Sequence, residues 1–473
     1  MPPVILLVLR QPLGEIRQIP PPVTSGARQP VKFMNNKNSV IKNVLTLAGF
    51  SSGLQLLAFA YRVYISRKMG PESMGLLGIV GVVYSIVYSV CIQGTCVAVT
   101  VLCSKDKTAA PQVVSSAKAV FLKAFCICAG VILPFPGFIA GNILGDARVV
   151  YAVVLYVPCL LLTGFENIYK AYYYSTKQIS RPIISEYTEQ LTRFCAVFII
   201  FLSLKTKSPQ ILVGTTVLAM VIAEVASSVL LHVIYRRKQK GPAKPDLQGQ
   251  ILKIAAPIGL SGLLNNLLGS VNTVLLPVML MGYGLSRRGA VSALGLVFGM
   301  VMPLLMLPAV VITSLCTIIL PRISESLGRG NYADVKHKSL KTIKYTMLFS
   351  GPFLLLFIPF GNNVSQIVYK TTTNQAFFLP LVLNAFFVYL QIVSNNVLNG
   401  LSDEKHGSLN SVLGSLVQVL FTAFLVVHFG INAFLYGGAA GSAITALLNL
   451  RRVFSLLKSL GQKPATPSAA SSA

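Results

Sequence analysis

Four polar residues interrupt the first long apolar run of the chain: Ser51, Gln55, Arg62 and Ser66. Spacings of 4, 7 and 4 residues put them on one face of a helix. A charge in hydrocarbon costs about 2.5–3.5 kcal/mol on insertion scales, so this face avoids lipid. It turns to a partner helix or a wet cavity, or Arg62 snorkels to the membrane surface. Asn265, Asn266 and Asn272 mark a later run, and Asn384, Gln391, Asn395 and Asn399 fall 7, 4 and 4 apart on another. Amides and a guanidinium together offer many donors, a set that suits a phosphate or sugar and equally suits bonds between helices. The candidate substrate-cavity residues are therefore Arg62, Gln55, Ser51, Asn265, Asn272, Gln391, Asn395 and Asn399. Acids in or beside apolar runs are few: Glu166, Glu186, Glu189 and Glu224. Glu189 and Arg193 stand four apart and pair. Glu186 and Glu189 lie near a helix start, where water reaches them. Glu224, flanked by Val-Ile-Ala and Val-Ala-Ser, is the candidate coupling site for a proton or cation.

The elements that hold these residues are membrane helices. Of 473 residues, 54% are hydrophobic and only 11% charged, and mean hydropathy is +0.69. Globular chains carry about a quarter charged residues. Apolar stretches of membrane-spanning length recur throughout, which reads as an all-α polytopic protein with about twelve transmembrane helices. Residues 1–39 form a cytoplasmic tail, of which 1–33 are disordered or precede the natural start at Met34. Residues 40–235 hold helices 1–6, 236–250 form a Lys- and Pro-rich cytoplasmic linker, 251–458 hold helices 7–12, and 459–473 form a disordered tail. With the N-terminus inside, cytoplasmic loops carry sixteen Lys and Arg against eight outside, Lys170 being counted among the sixteen. Both termini are thus expected in the cytoplasm. Leu77-Gly78-Ile79-Val80 and Leu294-Gly295-Leu296-Val297 match at an offset of 217, as do Thr100 with Thr317 and Lys105 with Arg322. A parallel repeat of this kind gives two parallel six-helix lobes around a central cavity. Prolines inside the helices, among them Pro303, Pro308 and Pro352, are expected to kink them.

Several functions fall away. The net charge of +27 sits in short loops between apolar runs, a pattern of membrane orientation and anionic lipid contact rather than nucleic-acid binding. The eight cysteines include no Cys-x-x-Cys and read as small buried hydrophobes. No phosphate loop, zinc-protease motif or nucleophile elbow occurs, so the chain is expected to be a carrier and not an enzyme, without cofactor or metal.

Four stretches resemble the stage V sporulation protein B family of polysaccharide-type transporters, in the multidrug/oligosaccharidyl-lipid/polysaccharide exporter superfamily. They are YRVYISRKMGPESMGLLGIVGVVYSI, GTCVAVTVLCSK, GLVFGMVMPLLMLPAVVITSLCTIILPRISES and VYLQIVSNNVLNGL. The resemblance implies a two-lobed carrier that flips a lipid-linked, anionic sugar precursor across the cytoplasmic membrane by alternating access, in spore or cell envelope biogenesis. Membrane lipids are expected as further partners, and the chain is expected to be a monomer. Lipid II flippases of the same superfamily carry several cavity arginines, whereas here Tyr61 stands where their helix 1 arginine falls. A cation-coupled multidrug exporter of the superfamily and a membrane scaffold for cell-wall synthesis are the alternatives.

Overall fold

Arg67-Lys68-Met69-Gly70-Pro71 ends one helix and opens the next. Gly70 takes φ 73° and ψ 173°, which a side chain would disfavour, and Pro71 pre-sets the first turn that follows. The computed structural model describes residues 37–106, 108–204, 206, 208–236 and 242–461. The expectations for residues 1–33, for 237–241 of the linker and for the tail from 462 lie outside these described residues.

The break at Gly70 divides Lys37–Val87 into α1 (37–69) and α2, which runs from 71 through a π-helical turn at Tyr88–Gln93 to Gly94–Lys105. The first half continues with α3 (Ala110–Ile132), α4 (Val150–Ser175), α5 (Ser180–Ser203) and α6 (Pro209–Arg236). The second half opens with α7 (Pro245–Gly282). Then come α8 (287–328), α9 (332–369), α10 (Phe378–Gly400), α11 (Glu404–Phe429) and α12 (Ile431–Gly461). By length and composition ten stretches can cross a membrane, or eleven with a bent pair. The differences from the expected twelve have local causes. Ser52–Lys105 counts as one stretch although Gly70 breaks it. Helix α8 counts as two because it opens at Met306-Leu307, between Pro303 and Pro308. Helix α9 bends by 67° just after Pro352. Helix α5 is not among the apolar stretches, since Arg181, Glu186, Glu189 and Arg193 lie along it.

Within the first half α4 and α5 pack on α6, and α3 packs on α4; within the second, α10 and α11 pack on α12, and α8 on α9 and α10. The halves meet mainly through α2, which lies against α7 and α8. That meeting is a contact of backbones. A Cβ added to Gly75 would lie 2.0 Å from the Val291 carbonyl oxygen, and one on Gly295 would lie 1.9 Å from that of Pro71. Gly295, in the second of the two segments that match at offset 217, thus touches the turn just before the first. Farther along α2, a Cβ on Gly94 would lie 2.1 Å from the Ala255 oxygen, and Asn266 donates to Ser89 Oγ at 2.5 Å.

Side chains join the halves at the Gly70 end. Arg67 donates from Nε to the Val368 oxygen at 2.5 Å and from Nη2 to that of Ile367 at 2.8 Å, occupying carbonyls in the last turn of α9. Arg287 Nε lies 3.5 Å from Asp146 Oδ2, across from the first half to the second. Arg148 ties Asp146 (2.7 Å) to Glu72 (2.5 Å). The Gly70 end is closed.

Candidate functional site

Helix α4 carries Glu166-Asn167 and, one turn on, Lys170, in a run otherwise rich in Leu and Tyr. Helix α5 carries Glu186, Glu189, Gln190 and Arg193; helix α6 adds Glu224. The three polar faces converge. Glu166 and Glu224 are buried at 1% and 4% exposure and Lys170 at 6%, deep enough that each charge needs a partner. Lys170 Nζ lies 2.9 Å from Glu166 Oε1 and 3.6 Å from Glu189 Oε2. Arg193 pairs with Glu189 through the spacing legible in the sequence, and its Nη2 stands 4.0 Å from Glu224 Oε1. Ser185 donates to Glu166 Oε1 at 2.7 Å and Tyr174 to Glu186 Oε1 at 3.4 Å.

All of these but Ser185 and Tyr174 wall a cavity of roughly 600 Å³. Leu54 and Gln55 of α1 complete it, with Tyr84, Tyr88 and Gln93 of α2, Tyr156 and Thr163 of α4, and Asn266 of α7. Gln55 is fifteen residues before Gly70, about 22 Å along a helix. The wall is thus drawn from the middle of the helices and from the parts remote from the closed end. Four carboxylates face two cations, and one oxygen each of Glu166, Glu189 and Glu224 lies within 4.8 Å of the others. Glu166 Oε2, Glu224 Oε2 and Gln190 Oε1 are buried without a hydrogen-bond partner. Such a set can take up a proton or hold a small cation between its oxygens.

The candidate residues from the sequence fall in different places. Gln55 and Glu224 line the cavity. Arg62 lies outside its wall, exposed and within electrostatic reach of Tyr369 in the second half. Ser51 belongs to α1; its side chain is outside the described set. Asn265 is exposed and donates to the Ser261 oxygen of its own helix at 3.0 Å. Asn272 is buried and accepts from Thr422 Oγ1 of α11 at 2.9 Å. Asn395 accepts from Asn449 Nδ2 of α12 at 2.9 Å, and Asn449 Oδ1 accepts in turn from Asn410 of α11 at 2.9 Å. Asn384 likewise accepts from Ser442 of α12 at 2.9 Å. Gln391 and Asn399 are half-buried on α10. Lys170, counted among cytoplasmic loop charges in the sequence, is a buried cavity residue. Asn167 and the tyrosines were not singled out in the sequence, and Glu166 and Lys170 were noted there without being joined. Their signal was present: an i,i+4 Glu–Lys pair in the middle of an apolar run has no use in lipid.

The family described as "Polysaccharide biosynthesis protein" matches residues 40–327, more than half of the sequence. The chain belongs to this family. Members' resemblance extends further than that match. The chain is 20% identical to "Stage V sporulation protein B" of Bacillus subtilis (strain 168), over 89% of this chain and 85% of that one. It is 18% identical to "Sporulation protein YkvU" of the same organism, over 75% and 81%. Among solved structures it resembles an inward-facing multidrug resistance MATE family transporter of the MOP superfamily. There the TM-score is 0.71 and the identity 14%, over 88% of this chain and 96% of that one. This family member is a multi-pass membrane protein with the all-helical fold of MOP-superfamily transporters.

Proposed function

We propose that this protein moves a lipid-linked, anionic saccharide precursor across the cytoplasmic membrane by alternating access, with both termini in the cytoplasm. The supporting observation is a charged, tyrosine- and amide-lined cavity in a bundle closed at the opposite end. A carrier held in one state has that form: one end sealed by contact between its halves, and a chamber reached from the other. Family membership supports a polysaccharide-type cargo, and the sporulation proteins among its relatives support a role in spore or cell envelope biogenesis. Tyr84, Tyr88 and Tyr156 offer ring faces to sugar, Gln55, Asn167 and Asn266 offer amides, and Arg62 meets the anionic headgroup between the halves. The acyl chain stays in lipid. Glu224, with Glu166 and Glu189, takes up the proton or cation that drives the return step. No covalent step is required.

The test is flipping of a fluorescent lipid-linked oligosaccharide in proteoliposomes. Glu224→Gln and Arg62→Ala are each expected to slow it tenfold or more with folding intact. Wild-type rates in both would withdraw the residue roles, and absence of flipping by the wild type would withdraw the reading. The excess of carboxylates over cations favours a second reading, a cation-coupled exporter of cationic drugs. Efflux of a cationic dye abolished by Glu224→Gln, without saccharide-lipid flipping, would establish it instead.

A further inference from the structure

The closed end of the bundle is crowded with guanidinium groups. Asp146, Ala147, Arg148, Arg287 and Arg288 wall a hollow of roughly 320 Å³ that straddles the two halves. The first three precede or open α4; the two arginines occupy the first turn of α8, behind the Ser286 cap. Asp146 is buried and committed. Its carboxylate accepts from Arg148 Nη2 at 2.7 Å, from Arg148 Nε at 3.0 Å and from the Arg148 backbone N–H at 3.0 Å. Arg148 spends another nitrogen on Glu72.

The other two arginines are not committed. Arg287 is half exposed and touches Asp146 through one nitrogen at 3.5 Å, far from a forked pair. Arg288 is exposed and forms no ion pair among the described residues. Three guanidiniums against the carboxylates of Asp146 and Glu72 leave one positive charge over. The first-turn N–H groups of α8 add their own positive potential at the same spot. Nothing in the fold explains paired, solvent-facing arginines at the mouth of a seam they barely help to hold.

We propose that Arg148, Arg287 and Arg288 form a second anion site, which takes a phosphate-type group on the closed face, apart from the cavity. The group bridges the two halves and competes with Asp146 for Arg287, so that its arrival loosens one of the ties that close this end. Its source is either the diphosphate of a membrane lipid or free phosphate or diphosphate in solution; the chemistry of recognition is the same. The proposal rests on the rim geometry alone and stands or falls independently of what the cavity carries.

Inorganic pyrophosphate is the probe, titrated into the purified full-length protein and followed by calorimetry at low and high salt. Wild type binds and weakens with salt. Arg287→Ala/Arg288→Ala is expected to weaken binding at least tenfold, and Arg288→Ala alone about threefold. Because Arg288 is exposed and unpaired, its single variant folds normally and keeps the test readable. No binding by the wild type, or equal binding by wild type and the double variant, overturns the site. The same titration in nanodiscs with and without a polyprenyl diphosphate lipid separates the sources. Competition by the lipid assigns the site to a membrane headgroup, and its absence to a soluble anion.

Discussion

Lys170 is the pivot of the buried charges, because both Glu166 and Glu189 lean on it. Replacing it with Met leaves Glu166 without its cation and Glu189 with Arg193 alone, and breaking a buried pair in this way costs roughly 3–5 kcal/mol. Lys170→Met is therefore expected to lower the unfolding midpoint in detergent sharply, and Lys170→Met/Glu166→Gln to recover a large part of the loss. Additive effects of the two changes would show that the pair is not coupled. At this scale the sequence was partly readable. Glu224 stood out by its flanks, and Glu189–Arg193 by their spacing. Glu166 and Lys170 carried the same spacing but were not assembled with the rest, since periodicity shows that a face is polar without showing which other face it meets. The amides of α10 make the same point from the other side. Their stripe was legible, yet Asn384 and Asn395 spend their oxygens on α12.

The α2–α8 seam depends on the lack of a side chain at two glycines. Gly295→Val drives a methyl group into the Pro71 carbonyl, and overpacking of this kind costs about 1–3 kcal/mol. Gly78→Val is the control: its Cβ meets nothing within 4 Å, so the change stays within about 0.5 kcal/mol. Thermal unfolding, with protease access to the loop after Gly284, distinguishes a parted seam from a merely weaker fold. A Gly295→Val protein as tightly closed as wild type would refute the account. The elements themselves were largely legible, from apolar runs, Gly-Pro turns and interior prolines. What was not legible is that α5 would keep charges inside the bundle, because the partners of Glu189 and Arg193 lie on α4 and α6.

For the whole molecule, ionic ties at one face add to the backbone seam between the halves, and these respond to pH and salt. Burial pushes the Asp146 carboxyl up, but hydrogen bonds from Arg148 and the nearby charges of Arg148 and Arg287 outweigh it and hold the group below the ordinary carboxylate value. A lowered folded value means that the contribution is complete above the unfolded value of about 4 and is lost as pH falls through the lowered one. The tie is expected to survive mild acid and fail only below it, and in Asp146→Asn to show no such dependence. Accessibility of the Gly70 end followed across acid pH checks this; equal profiles for both proteins would sink it. The two-half layout was expected from the offset-217 match and from family resemblance. The location of the cavity was not, since its wall comes almost wholly from the first half.

The π-helical turns inside α2, α8 and α11, at Tyr88–Gln93, Gly295–Val301 and Phe421–Leu425, have a consequence for motion. Each fits an extra residue into a turn, and the surplus can pass along the helix one peptide at a time without breaking it. Two of the three lie in α2 and α8, the helices whose contact seals the molecule. Amide hydrogen exchange should therefore run faster at these interior points than in the α-helical turns on either side, and the seam should open by a small rotation of each helix about its own axis.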